Sequence, residues 1–351
     1  MKAELTMTQP SDILRFDNQT IYIKSSEDMS ELDDCSFDVI VTSPPYNIGK
    51  NYSSEHGCYN DKLPHSEYLD FLQRVFSECL RVLRDDGVFF LNIGDSARDQ
   101  GKSEDVVRSA VDVGFQRLQT VIWIKSIFGK GHYTPSGGSR RLNSLWEFIF
   151  LLVKGKKYRF DPKAIGIPYA DKSNIGRYSD VDLRDPGDLF FAPYVKTTGQ
   201  TIKKGHEAPF PVGLAWNMIK LVPGTRRVLD PFVGTGSTLA AARYLGIEGV
   251  GYEIHPRPEV IKTTILATFT PMRSPLLPQL EKYANTVAEL LDKAAEKLSP
   301  DQKQEILKSL PAKTLKELEW ACEDLQLPVP LRSSKKPGKK MSLWEHFESS
   351  E

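Results

Sequence analysis

Val228-Leu229-Asp230-Pro231-Phe232-Val233-Gly234-Thr235-Gly236-Ser237-Thr238-Leu239 reads as a strand, a glycine turn and the start of a helix. The apolar run before Asp230 suits a buried strand. Gly234 and Gly236 permit positive φ and a close approach of backbone to a ligand. Ser237 or Thr238 is placed to cap a helix that runs through Ala240-Ala241-Ala242-Arg243-Tyr244-Leu245 and stops at Gly246. Free N–H groups at such a helix start attract a negative group of a ligand. The next apolar stretch, Gly249-Val250-Gly251-Tyr252, ends in Glu253, where an acid is placed to accept from ribose hydroxyls. Strand, Gly-x-Gly, helix, strand and acid in one short unit predict a site for a nucleoside-containing cofactor. Its expected lining is Asp230, Phe232, Gly234, Thr235, Gly236, Ser237 and Glu253.

Nearly two hundred positions earlier, Phe37-Asp38-Val39-Ile40-Val41-Thr42 reads as a second buried strand, and Ser43-Pro44-Pro45-Tyr46 follows it directly. Two prolines fix φ and remove N–H donors, so the turn offers carbonyl oxygens, the Ser43 hydroxyl and the face of Tyr46. A planar heteroaromatic ring bearing an amino group suits that combination. Oxygens accept from the NH₂ while the tyrosine stacks on the ring. Ser43, Pro44, Pro45 and Tyr46 are the expected catalytic residues.

Thr-Ser-Pro-Pro-Tyr together with Asp-Pro-Phe-Val-Gly-Thr-Gly resembles the amino-methylating DNA methyltransferases, which use S-adenosylmethionine. Across roughly residues 18–265, the catalytic motif precedes the cofactor motif, as in the permuted β group of that family. The Ser-Pro-Pro-Tyr form is similar to the cytosine-N4 members; adenine-N6 members usually carry Asp-Pro-Pro-Tyr. The resemblance implies transfer of a methyl group to cytosine N4 in double-stranded DNA, with the base extruded from the helix and attacking in line. Adenine N6 is the alternative. It also implies a Rossmann-like, circularly permuted sheet containing a reversed strand near one edge. His206 to Pro211 is similar to the family segment that closes over the methionine part of the cofactor, which adds Phe210 to the expected cofactor site. Trp146-Glu147, at the head of an apolar run, resembles a late family strand often written His-Glu. Where members often carry Gly-Asp, this chain has Lys24-Ser25-Ser26.

The 351 residues carry 46 basic and 46 acidic side chains, a net charge of zero, so any DNA surface must be local. One stretch supplies it: between Arg117 and Lys163 ten basic residues face only two acids, an excess of +8. Cys35, Cys58, Cys79 and Cys322 show neither zinc-ligand spacing nor a disulfide framework, and no metal is expected. With no signal peptide and no membrane-length apolar run, the expected location is the cytoplasm. A different class, a dinucleotide-dependent oxidoreductase, would also use Gly234 and Gly236, but the third glycine of that fingerprint is missing and the Pro-Pro turn would have no role.

Alternation of strands and helices predicts an α/β protein with a doubly wound, mostly parallel sheet. Residues 1–17 read as a loose lead-in and 20–23 as a short strand. A helix capped by Ser66 has apolar residues from Tyr68 to Leu83 at helical spacing; Asp85-Asp86-Gly87 ends it ahead of a strand at 88–93. Helix 103–113 and strands 120–124 and 147–153 follow. Domains are expected at 1–270, catalytic, with a target-recognition insertion at about 155–205, and at 271–351, a helical extension with a basic tail. Expected partners are duplex DNA and a cognate restriction endonuclease, with the enzyme a monomer or homodimer.

Overall fold

The computed structural model describes residues 12–47, 61–95, 99–125, 144–169, 171–177, 180–192 and 210–269. These residues fall into two compact units. One holds the described residues up to Ile167 and from Leu183 onward; the other is Pro168–Asp182. In the small unit a single 3-10 turn, Lys172–Asn174, is closed by Asp171, and Asp182 accepts from the Tyr169 N–H and the Lys172 ammonium. The helices and basic tail expected over 271–351 lie outside the described residues, as do residues 48–60 and 126–143.

The large unit is built on one nine-stranded sheet. Its strands are β1 (Ile13–Phe16), β2 (Gln19–Tyr22), β3 (Phe37–Thr42), β4 (Leu83–Ile93), β5 (Gln116–Ile124), β6 (Trp146–Val153), β7 (Leu189–Phe191), β8 (Arg227–Asp230) and β9 (Glu248–Tyr252). Their order is β1-β2-β9-β8-β3-β4-β6-β5-β7. Strands β2, β9, β8, β3 and β4 are mutually parallel, whereas β6 runs antiparallel to both β4 and β5. This is the doubly wound, mostly parallel sheet that the alternation of strands and helices predicts, with the reversed strand that the family resemblance implies. Edge strand β1 is a second reversed strand, formed by residues read from sequence as lead-in.

Why these segments pair is visible in their side chains. Every residue of β3 is buried, as expected for a strand covered on both faces. Successive residues go to opposite sides: Ile40, Phe89, Leu229 and Leu152 join one core with helices α1 (His65–Val82) and α2 (Lys102–Asp112). Val39, Val88, Val228 and Leu151 join the other with α3 (Val212–Lys220) and α4 (Ser237–Tyr244). A small third cluster places α5 (Pro258–Leu266) against Ile21, Val233 and Leu239.

Local corrections concern helix and strand ends. Helix α1 begins at His65 with Pro64 as its cap, so Ser66 lies inside the first turn. Asp85-Asp86-Gly87 does not separate helix from strand, because β4 already pairs with β3 at Leu83↔Phe37 and then skips to Val88↔Val39. Helix α4 is capped by Gly236, with Ser237 as its first residue. Its stop is as expected: Gly246 (φ 71°) donates to Arg243 and Ile247 to Ala242, the paired bonds of a glycine-terminated helix.

Candidate active site

Parallel β3 and β8 are neighbours, paired at Val39↔Val228 and Ile40↔Leu229. Their carboxyl ends therefore release Ser43-Pro44-Pro45-Tyr46 and the Asp230–Gly236 turn from the same edge of the sheet. Two side-chain bonds join these segments. Thr42 Oγ1 donates to Asp230 Oδ1 at 2.6 Å, and Thr238 Oγ1 donates to the Val41 carbonyl at 3.3 Å. Phe232 and Tyr46 pack on one and the same core cluster. Open α/β sheets bind ligands at this edge, outside the carboxyl ends of their strands.

The glycine turn is held from within. Asp230 Oδ1 also accepts from the Phe232 N–H at 3.0 Å. Burial pushes the Asp230 carboxyl up to about 6, against the opposing effect of the Thr42 hydroxyl. Gly236 stands at φ 90° with the α5 side chain of Ile265 behind it; a Cβ would come within 3.3 Å of Ile265 Cγ1. Both the conformation and the space favour glycine there. Glu253, at the end of β9, bridges backbone on either side: Oε2 accepts from Gly234 N at 2.8 Å and Oε1 from His255 N at 2.9 Å. Burial raises the Glu253 carboxyl, with these two N–H groups pulling the other way. Each oxygen keeps a second lone-pair site for a hydroxyl.

The Pro-Pro turn is clamped by residues that sequence reading assigned no role. Tyr68 Oη, on α1, donates to the Pro45 carbonyl at 2.8 Å. Lys102 Nζ, in the first turn of α2 and almost fully buried, donates to the Tyr46 carbonyl at 3.0 Å and reaches the Asn47 carbonyl at 3.4 Å. The Asn47 side chain pairs with the Leu63 backbone in both directions, and its N–H donates to Asp61. Three successive carbonyls, Pro45 to Asn47, are thus engaged. No described residue donates to the Pro44 carbonyl, and the Ser43 hydroxyl keeps lone pairs free, so both are among the acceptors the turn leaves open.

Antiparallel β6 adds Glu147. Because β6 runs against its neighbours, its first residues stand beside the last residues of β4 and β5: Phe148 pairs with Ile93, and Glu147 with Trp123. Glu147 Oε2 accepts from Tyr46 Oη at 2.8 Å, and Oε1 is ion-paired to Lys125 Nζ at 2.9 Å. Tyr46 Oη in turn lies 3.4 Å from Ser43 Oγ. In the sequence Glu147 shows as an acid heading an otherwise apolar strand and as the second residue of the Trp146-Glu147 pair that resembles the family's His-Glu, but neither trace points to Tyr46 or Lys125. Phe210 is placed differently from the other expected site residues. It precedes α3 and packs on the opposite core cluster from Tyr46 and Phe232.

These residues fit a nucleoside sulfonium: a glycine turn ahead of a helix, an acid at the end of the second strand, and a buried Asp230 Oδ2 without a hydrogen-bond partner among the described residues. The sequence profile of the N6/N4 DNA methylase family matches residues 37–261, and the chain belongs to that family. The type II methyltransferase M.MthZI of Methanothermobacter thermautotrophicus is 28% identical over 286 residues, 71% of this chain and 76% of that one. M.ScaI of Streptomyces caespitosus is 30% identical over 228 residues, covering 62% and 71%. The solved PvuII DNA methyltransferase (cytosine-N4-specific) shares the fold, with a TM-score of 0.54 at 18% identity over 73% of this chain and 89% of that one. The chain is therefore a site-specific DNA methyltransferase of the amino-methylating class, and its methyl donor is S-adenosylmethionine. Among the described residues no helix is long and apolar enough to cross a membrane.

Proposed function

We propose that this enzyme methylates the exocyclic N4 amine of cytosine within a specific duplex sequence. The observation that carries the reading is the acceptor pair left open by the clamped turn, the Ser43 hydroxyl and the Pro44 carbonyl. S-adenosylmethionine supplies a methyl group already activated on a sulfonium. The residues of this chain bind, orient and accept. Ser43 and Pro44 hydrogen-bond the NH₂ and draw its lone pair out of conjugation with the ring. Positioning of this kind supplies most of the rate, and the oxygen dipoles stabilise positive charge developing on nitrogen; as the nitrogen–methyl bond formed, the methyl–sulfur bond would break, S-adenosylhomocysteine would leave, and the surplus amine proton would pass to water. Tyr46 stacks on the base, which must leave the duplex to reach the turn.

In this reading Glu253 takes the ribose hydroxyls, the Asp230–Ser237 turn cradles the rest of the cofactor, and Phe210 closes over its methionine part. Residues of about 155–205 contact the target sequence, 1–270 form the catalytic domain, and 271–351 support it. The relatives M.MthZI and M.ScaI are both type II methyltransferases, which supports a restriction–modification setting with a cognate endonuclease, in the cytoplasm, for a monomer or homodimer. The test is chemical. Duplex DNA treated with the enzyme and methyl donor is digested to nucleosides and resolved by mass spectrometry. N4-methyldeoxycytidine is expected; N6-methyldeoxyadenosine as the sole product would reassign the target base.

A further inference from the structure

We propose that Glu147, a positioning residue, fixes the direction of the hydrogen-bond chain Ser43–Tyr46–Glu147 so that the Ser43 oxygen is obliged to accept from the target amine. The inference rests on the reading of the turn as the amine site. A serine hydroxyl left to itself donates or accepts according to its surroundings, and a donor aimed at the amine nitrogen would occupy the lone pair that must attack. The chain removes that freedom. A carboxylate ion-paired to Lys125 accepts only. Tyr46 must then spend its single proton on Glu147 Oε2, at 2.8 Å. The phenol keeps that proton, because burial and the Glu147 charge raise it well above its ordinary range. Toward Ser43 only phenol lone pairs remain, so the Ser43 proton points to Tyr46 and the Ser43 lone pairs point away from it.

The 3.4 Å separation of Ser43 Oγ and Tyr46 Oη is at the long end for such a bond. An amine donating to Ser43 polarises the chain and shortens it, since successive hydrogen bonds strengthen one another, and catalytic bonds tighten when substrate binds. No proton changes owner; the chain sets polarity. A neutral serine is thereby given a fixed acceptor character with the charge held two residues away.

The surroundings are built for it. Gly94, just beyond β4, leaves the room the Glu147 side chain occupies: a Cβ at 94 would lie 2.7 Å from Glu147 Cγ. Lys125 and Glu147 are both largely buried, with 9% and 14% of their side-chain surface exposed. A buried ion pair is weak as a stabiliser, so stability alone gives little reason for the pair to stand here.

The test is single-turnover methyl transfer from tritiated S-adenosylmethionine to unmethylated bacteriophage DNA, with cofactor affinity from calorimetry and folding from thermal unfolding. Glu147→Gln and Tyr46→Phe are each expected to slow transfer about 10- to 100-fold, the weight of a charged hydrogen bond converted to rate, with cofactor affinity unchanged. Combined, they should be no slower than the worse single variant, within about twofold, because either one cuts the same chain. Gly94→Ala, which alters no charge, should slow transfer by displacing Glu147. Rates within twofold of wild type for Glu147→Gln, or losses that multiply in the double variant, would overturn the proposal. If Glu147→Gln does not fold, Tyr46→Phe decides alone: a rate within twofold of wild type refutes the chain. A wild-type enzyme that transfers no methyl group to DNA would instead refute the underlying function.

Discussion

Thr42 Oγ1 donates to Asp230 Oδ1 at 2.6 Å across 188 positions of sequence. The bond ties the residue just before the acceptor turn to the first residue of the glycine turn, so the relative placement of donor and acceptor halves rests on it. Thr42→Val keeps the shape and removes the hydroxyl, leaving a buried carboxyl with one donor fewer. The expected loss is about 1–3 kcal/mol of stability, with weaker binding of S-adenosylmethionine. Denaturant titration and calorimetry on the purified variant measure both, and unchanged values in the two would contradict the role given to the bond.

Asp230 and Asp38 should respond to pH in opposite senses. Burial raises Asp230 to about 6 from an unfolded value near 3.8, so the native state holds its proton more tightly and this contribution to stability declines as pH rises from about 4 to 6. For Asp38 burial also acts upward, but the Arg226 N–H, the Arg159 guanidinium and the Arg227 N–H overcome it and hold the carboxyl below its ordinary value. Its contribution is full above the unfolded value and disappears as pH falls below it. The stability gap between wild type and Asp230→Asn should therefore shift by on the order of 3 kcal/mol between pH 4 and 7. The gap for Asp38→Asn should stay level over that range. Urea titrations at pH 4, 5, 6 and 7 read both; a level Asp230 gap would show that its carboxyl is not perturbed.

Lys102 holds the acceptor turn through the Tyr46 and Asn47 carbonyls. Lys102→Met preserves most of the stem and deletes the donor. Transfer should slow about tenfold or more, as expected when reacting groups lose alignment, while cofactor affinity stays within twofold. A large drop in cofactor affinity with normal single-turnover chemistry would place Lys102 in the wrong half of the site.

The ring of Tyr46 has a task separate from its hydroxyl. Base–aromatic stacking is worth about 1–3 kcal/mol, so Tyr46→Ala should lose more activity than Tyr46→Phe, and the extra loss should appear in DNA binding as well as in turnover. Equal losses in the two variants would argue against stacking as the use of the ring.

The parts of this fold that depend on neighbouring residues in the chain were legible in the sequence; those made by distant partners were not. Phe37–Thr42 announces a strand because all six positions are buried, and α1 announces itself through Tyr68, Leu72, Val75, Phe76 and Cys79 on one face. Edge strands β1 and β7 are short and only partly covered, which leaves little apolar pattern to read. The sequence places the cap of α4 at Ser237 or Thr238, whereas the chain enters the helix through Gly236 at a φ of 90°, with no side-chain bond at the cap. In the site, Ser43 to Tyr46 and Asp230 to Gly236 are contiguous motifs. Lys125 and Lys102 are single charges, and Glu147 carries a family likeness without a stated task; their contacts are set by the reversal of β6 and the packing of α2, which no local pattern encodes.

One cleft must serve both halves of the reaction, and a crystal structure with S-adenosylhomocysteine tests that directly. The ribose should lie on Glu253, the thioether sulfur should stand between the Asp230–Gly236 turn and the Ser43–Pro44 acceptors, and nothing should separate that sulfur from the Pro44 carbonyl. A ligand bound away from Glu253, or a sulfur walled off from Pro44 by the protein, would contradict it.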